Sequence, residues 1–206
     1  MIARGSATLV LAPLFATAAC MAGAIVLEAP TLLYPGLPLG IAFLFLVVFF
    51  RDPERVSGRG VVSPADGRVL EADSATGRVT VFMSLADVHV NRAPLDGRIT
   101  RMTHTRGGHK PAYRAEAREN ERLETVIDTA LGPVRIVQIA GTVARRIMPF
   151  RREGDRVKKG QRIGMIRFGS RVEMTLPNGL RLVVRVGERV RAGETTVAVV
   201  DRARLR

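Results

Sequence analysis

Two hydrophobic patterns divide the chain. From 7 to 27 it reads ATLVLAPLFATAACMAGAIVL, a 21-residue run without a charge. About 20 such residues suffice for a membrane-spanning helix. EAPTLLYPGLP follows, rich in proline and carrying Glu28 and Gly36, and it reads as a turn. The second run, LPLGIAFLFLVVFF at 37–50, reaches spanning length when counted from Leu32 and stops at Arg51-Asp52-Pro53-Glu54-Arg55. This pattern predicts a transmembrane helical hairpin over residues 1–50. A cleaved leader fits less well, because a second apolar run follows the first.

From residue 61 the pattern becomes short apolar runs rich in Val, Ile and Thr, separated by Gly, Pro and Asp. VVSPADGRVLEAD predicts a strand, a turn around Pro64–Gly67 and another strand. GRVTVFMSL, GRITRM, GPVRIVQIAG and NGLRLVVRVG repeat the pattern, whereas Pro111–Leu123 is polar and fits a helix or an ordered loop. Closely spaced short strands of this kind predict a mainly β, barrel-sandwich-like domain over 51–206. Gly154-Asp155-Arg156-Val157-Lys158-Lys159-Gly160 is echoed by Gly187-Glu188-Arg189-Val190-Arg191-Ala192-Gly193, which implies two similar hairpins. GMIRFGSRVEM at 164–174 is strand-like but broken by Gly169-Ser170, as at a bulge or a close backbone approach.

Charge sharpens the division. Residues 1–50 hold only Arg4 and Glu28, so the net charge of +13 lies in 51–206. Of the 32 basic residues only Lys110, Lys158 and Lys159 are lysine. Arginine favours bidentate capture of phosphate and carboxylate, so anionic partners are expected. The positive-inside rule puts Arg4 and the Arg51/Arg55/Arg59 cluster on the cytoplasmic side of a cell membrane, with the Glu28–Pro30 turn outside. Two Tyr, no Trp and no basic run with interleaved aromatics argue against nucleic acid. The single Cys20 excludes an intramolecular disulfide. His104 and His109 flank Gly107-Gly108, a weak metal-ligand spacing that solvated loop histidines explain as well.

Several motifs occur in order: Ser63-Pro64-Ala65-Asp66-Gly67, Asp87-Val88-His89-Val90-Asn91-Arg92-Ala93-Pro94, Ala140-Gly141 leading to Arg145-Arg146-Ile147, and Arg167-Phe168-Gly169-Ser170-Arg171-Val172. Together with FFRDP at 49–53 they resemble the short form of the phosphatidylserine decarboxylase family over about residues 48–200. The resemblance implies a proenzyme that cuts itself between Gly169 and Ser170. Ser170 becomes a covalent pyruvoyl group, and fragments 1–169 and 170–206 remain together as a heterodimer. The pyruvoyl group is an electron sink for decarboxylation of a serine phospholipid at the membrane, with no metal required. Phosphatidylserine would become phosphatidylethanolamine; an archaetidylserine decarboxylase would run the same chemistry.

In this reading His89 is the base that activates Ser170, and Asp66 orients His89. The long bacterial form has a second His three positions after the first, where this chain has Arg92. Either His89 serves both self-cleavage and decarboxylation, or the roles are shared differently. Arg145, Arg146, Arg167 and Arg171 are candidates for the substrate's phosphate or carboxylate. Lys110-Pro111-Ala112 resembles a family loop near the site. The competing reading is a membrane-tethered, lipoyl-like carrier or adaptor module, with Lys158 or Lys159 at a hairpin tip.

Overall fold

The computed structural model describes residues 1–201 except 109, 114–116, 118, 142–145, 168 and 169. The chain forms two compact units, Met1–Pro53 and Glu54–Arg206. In the first, α1 (Ala7–Val26) and α2 (Leu33–Phe49) form a hairpin through a 3-10 turn at Pro30–Leu32. Glu28 takes a left-handed φ of 49° where the chain reverses. Small residues let the helices approach: a Cβ added at Gly36 would lie 3.3 Å from Cys20, and one at Gly23 3.0 Å from Leu32. The chain start closes the hairpin, with Ala3 N–H donating to Phe50 O at 2.8 Å and Asp52 N–H to Met1 O at 2.7 Å. The segments Ala7–Val26 and Pro30–Phe49 are both long and apolar enough to cross a membrane.

The second unit is mainly β, as the alternating pattern predicts, but its sheets do not close into a barrel. Its strands are β1 (Val61–Val62), β2 (Gly67–Asp73), β3 (Arg78–Met83), β4 (Val90–Arg92), β5 (Gly97–Thr105), β6 (Arg122–Thr129) and β7 (Gly132–Ala140). They continue with β8 (Ile147–Pro149), β9 (Arg156–Val157), β10 (Arg162–Ile166), β11 (Ser170–Thr175), β12 (Leu180–Leu182), β13 (Arg189–Val190) and β14 (Thr196–Val200). An eight-stranded sheet runs β13-β2-β3-β11-β7-β6-β5-β9, and two three-stranded sheets run β4-β10-β8 and β1-β14-β12. All three contribute to one core: Val81 and Val172 come from the large sheet, Ile163 and Ile166 from the second, Val197 and Ala198 from the third.

The break in GMIRFGSRVEM is larger than a bulge. β10 lies between β4 and β8, whereas β11 lies between β3 and β7, so the chain changes sheets between Ile166 and Ser170. Three other segments differ from the pattern. β6 occupies part of the polar stretch, because Leu123, Thr125 and Ile127 point inward while Glu124 pairs outward with Arg135 at 2.5 Å. β5 extends to Thr105, beyond GRITRM. NGLRLVVRVG yields only the three residues of β12 before the chain turns at Arg185–Glu188.

The echoed turns mark an internal two-fold likeness. β13 pairs with β2 at Gly67 and Arg68, and β9 pairs with β5 at Gly97 and Arg98. Each receiving strand begins with Pro-x-Asp-Gly-Arg, at Pro64–Arg68 and Pro94–Arg98. Asp66 Oδ1 accepts Ala192 N–H at 2.8 Å, and Asp96 Oδ1 accepts Lys159 N–H at 2.7 Å. Gly193 N–H donates to Ser63 O and Gly160 N–H to Ala93 O, both at 2.8 Å. The two similar hairpins implied by the echo are, in the structure, two like turns whose short strands close the two ends of one sheet.

Gly67 combines a φ of 140° with a would-be Cβ 1.9 Å from Phe82 O, backbone that cannot yield. Gly179 has a φ of 89° but open space around it. Gly67→Ala is expected to destabilise by about 3 kcal/mol or more, lowering Tm by about 6–12 °C, and Gly179→Ala by about 1 kcal/mol. Thermal unfolding of the two variants checks the contrast.

Candidate active site

β11 presents two faces. Ser170, Val172 and Met174 point into the core, opposite Met83, Val81 and Val79 of β3 and Ala140, Gln138 and Ile136 of β7. Ser170 is the first residue of the strand and is fully buried. Its Oγ donates to Met83 Sδ at 3.3 Å.

His89 is 1% exposed and directly precedes β4. Its carbonyl accepts Ile166 N–H at 3.3 Å, which ties it to the end of β10, three residues before Gly169. Its Nδ1 lies 2.9 Å from Asp87 O. A carbonyl can only accept, so Nδ1 carries the proton and, in neutral imidazole, Nε2 carries the lone pair. Asp87 is itself fixed, with its carboxylate accepting Ser84 N–H at 2.8 Å and Ser84 Oγ–H at 2.6 Å. β3 ends opposite Ser170, and the 84–88 connection carries the chain on to His89. Serine and histidine thus flank the step from β10 to β11.

Asp66, expected to orient His89, has other partners among the described residues. The Asp66 carboxylate is held bidentately by Arg55, at 2.5 and 2.7 Å, and by Ala192 N–H. Arg55 also donates to Ala192 O at 2.8 Å. Asp66 is therefore locked to the 189–193 turn, and the tautomer of His89 is set by Asp87 O. The Arg55 side chain is 6% exposed, so it is withdrawn from the surface cluster in which its charge had placed it. Arg92, at the position of the long form's second histidine, is 4% exposed and donates to Gly160 O at 2.9 Å.

The predicted arginines separate. Arg171 is on the face of β11 opposite Ser170, 5% exposed and paired with Glu173 at 3.0 Å. Arg167 follows β10, and its N–H donates to Arg146 O at 3.3 Å. Burial, and then the charge of Arg146, lower the Arg167 guanidinium below its ordinary pKa. Two like charges held together in this way favour an anion between or beside them. Arg145 and Gly169 lie outside the described residues, as does His109. His104 is at the surface, with Nε2 2.9 Å from Glu121 Oε1.

Sequence reasoning overlooked Asn120. It is fully buried, and its amide donates to Ala140 O at 2.7 Å and Lys110 O at 2.6 Å, while its Oδ1 accepts Lys110 N–H at 2.8 Å. It thereby pins the Lys110 loop to the residue paired with Ser170. The polar stretch gave no periodicity that would single it out.

The domain is mainly β, and a buried serine heads one strand while a buried histidine is tied to the end of the strand that precedes it in the chain. The phosphatidylserine decarboxylase family model matches residues 42–198. A relative described as a putative archaetidylserine decarboxylase proenzyme, from Methanosarcina acetivorans, is 43% identical over 99% of both chains. One of the same description from Methanosarcina barkeri is 47% identical over 77% of this chain and 78% of its own. A phosphatidylserine decarboxylase proenzyme from Streptomyces griseus is 51% identical over 72% of this chain and 71% of its own. The chain belongs to the phosphatidylserine decarboxylase family.

The two-fold likeness supplies an internal control for Asp66. Removing Arg55 leaves a buried carboxylate without its counter-charge, whereas Asp96 is exposed. Arg55→Ala is expected to destabilise by about 3–5 kcal/mol, and Asp96→Asn by about 1 kcal/mol. Thermal unfolding of both variants reads the difference.

Proposed function

We propose that this chain is a membrane-anchored proenzyme that cuts itself between Gly169 and Ser170 and then decarboxylates a serine phospholipid, converting phosphatidylserine to phosphatidylethanolamine. Supporting this reading above all is the completely buried Ser170 hydroxyl at the head of β11, together with a buried histidine that is tied through its carbonyl to Ile166 at the end of β10 and whose Nε2 is the basic nitrogen. A serine that only packed would leave an alcohol in the core where alanine would serve.

Self-cleavage begins when His89 Nε2 takes the Ser170 Oγ proton and Oγ attacks the Gly169 carbonyl carbon. The C–N bond breaks, the Ser170 nitrogen takes a proton, and Gly169 becomes an ester on Oγ. Loss of the Ser170 α-proton then expels the Gly169 carboxylate and leaves dehydroalanine. Tautomerisation and addition of water release ammonia and leave a pyruvoyl group at the head of fragment 170–206. That group supplies an electrophilic carbonyl that accepts the electron pair freed with CO2. Ser170 is a fitting source for it, since Met83 and Ala140 hold the residue on both sides.

Arg146 and Arg167 are proposed to bind the lipid phosphate, supported by the close like charges that an anion would relieve; Arg145 and Arg171 were further candidates. His89 is proposed to return the proton after CO2 leaves. Asp66 acts indirectly, by fixing the turn that follows β13. Paired on both sides, β11 would keep fragments 1–169 and 170–206 together as a heterodimer after the cut. The α1–α2 hairpin is proposed to span the cell membrane, with Arg4, Arg51 and Arg59 inside and the catalytic domain at the cytoplasmic face. The serine head group is common to phosphatidylserine and archaetidylserine, and these residues address the head group. The carrier or adaptor reading is not favoured, since the relatives are described as decarboxylase proenzymes.

Ser170→Ala is expected to remain one polypeptide and to release no radioactive CO2 from carboxyl-labelled phosphatidylserine in detergent. Labelled CO2 from that variant would overturn the proposal. His89→Ala is expected to slow self-cleavage by at least about 100-fold, as measured by gel after synthesis in a cell-free system.

A further inference from the structure

A run of buried polar side chains leads to the reactive serine. Gln138 on β7, two residues before Ala140, is 1% exposed and donates from Nε2 to Asn91 Oδ1 at 2.7 Å. Asn91 on β4 is fully buried, and its Nδ2 lies 3.7 Å from Met83 Sδ. The same sulfur accepts Ser170 Oγ–H at 3.3 Å. Space is reserved for this arrangement by Gly164, which pairs with Asn91. A Cβ there would come within 3.2 Å of Gln138 Nε2 and 2.9 Å of Met148 O.

Packing alone does not call for these residues. Two amides and a hydroxyl in a core are costly unless satisfied, and aliphatic side chains would fill the space without that cost. Resting on the self-cleavage reading above, we propose that Met83 is a positioning residue for that reaction. Its thioether holds Ser170 Oγ in the attacking position, and the Asn91–Gln138 amide pair holds the thioether. A sulfur suits the task because it is a weak acceptor. It orients the hydroxyl and gives up the O–H more readily than a carboxylate or carbonyl oxygen when His89 takes the proton.

Two substitutions at one position separate this role from packing. Leucine keeps the volume and apolar character of methionine but cannot accept a hydrogen bond. Glutamine keeps the length and supplies an acceptor oxygen. Self-cleavage of the full chain is followed by gel after cell-free synthesis, with and without hydroxylamine, which cleaves the ester intermediate. Met83→Leu is expected to slow cutting about five- to tenfold, the loss of one hydrogen bond. Hydroxylamine is not expected to restore the rate, because formation of the ester is the step impaired. Met83→Gln is expected to fall between wild type and Met83→Leu.

Wild-type cutting by Met83→Leu, or a Met83→Gln protein slower than Met83→Leu, would overturn the assignment and leave Met83 as core packing. Should the glutamine variant fail to show a cooperative melt, the leucine variant decides alone: restoration by hydroxylamine counts against the proposal, and its absence supports it. A wild-type chain that never cuts would refute self-cleavage itself, a separate outcome from either result at Met83.

Discussion

The pairing of β11 on both sides is the constraint that shapes the site. Six residues, Ser170–Thr175, are in register with β3 on one side and β7 on the other. That register leaves Ser170 no choice of face: it points inward, between Met83 and Ala140, in line with Val172 and Met174. Ile166, four residues earlier, is just as firmly held in another sheet, through His89 O and β8. The short connection has fixed ends in two sheets. Ends fixed in this way would suit the proposed attack of Ser170 on the carbonyl that precedes it.

The same geometry would hold the two fragments together after a cut. Fragment 170–206 contains β11, β12, β13 and β14, and β11 is interior to the large sheet. β11 pairs with β3 and β7, β13 with β2 and β14 with β1, so residues 170–206 are woven into the rest of the domain by four separate ladders. Breaking one peptide bond removes none of these hydrogen bonds. The internal likeness between the two ends of the large sheet adds a further point. Its two Asp-capped turns are built alike, yet among the described residues an arginine, Arg55, clamps the Asp66 copy alone. A buried ion pair is weak support for stability in itself; here it fixes where the chain at Arg55 joins the domain.

Much of this was legible in the sequence because period and composition report burial. The uncharged runs gave both helices, and alternation gave β2, β3 and β7. The broken run at 164–174 marked the place where the chain changes sheets. Legibility failed where partners distant in sequence decide. The start of β6, Arg122–Leu123, fell in the polar stretch Pro111–Leu123, and the strand is set by pairing with β5 and β7. Arg55 looked like one more surface arginine, since nothing local tells a buried guanidinium from an exposed one. Asp66 looked like a partner for His89, and the sequence did not show that Arg55 and Ala192 also hold its carboxylate. Arg171 stands next to Ser170 in the chain, and for that reason faces the other side of the strand.

The most direct measurement is the intact mass of purified protein that is fully active on a serine phospholipid. Two polypeptides are expected, 1–169 and 170–206, the smaller resisting amino-terminal sequencing and carrying the mass of a pyruvoyl in place of Ser170. A single chain of 206 residues, uncut in fully active protein, would contradict self-cleavage as the source of the activity.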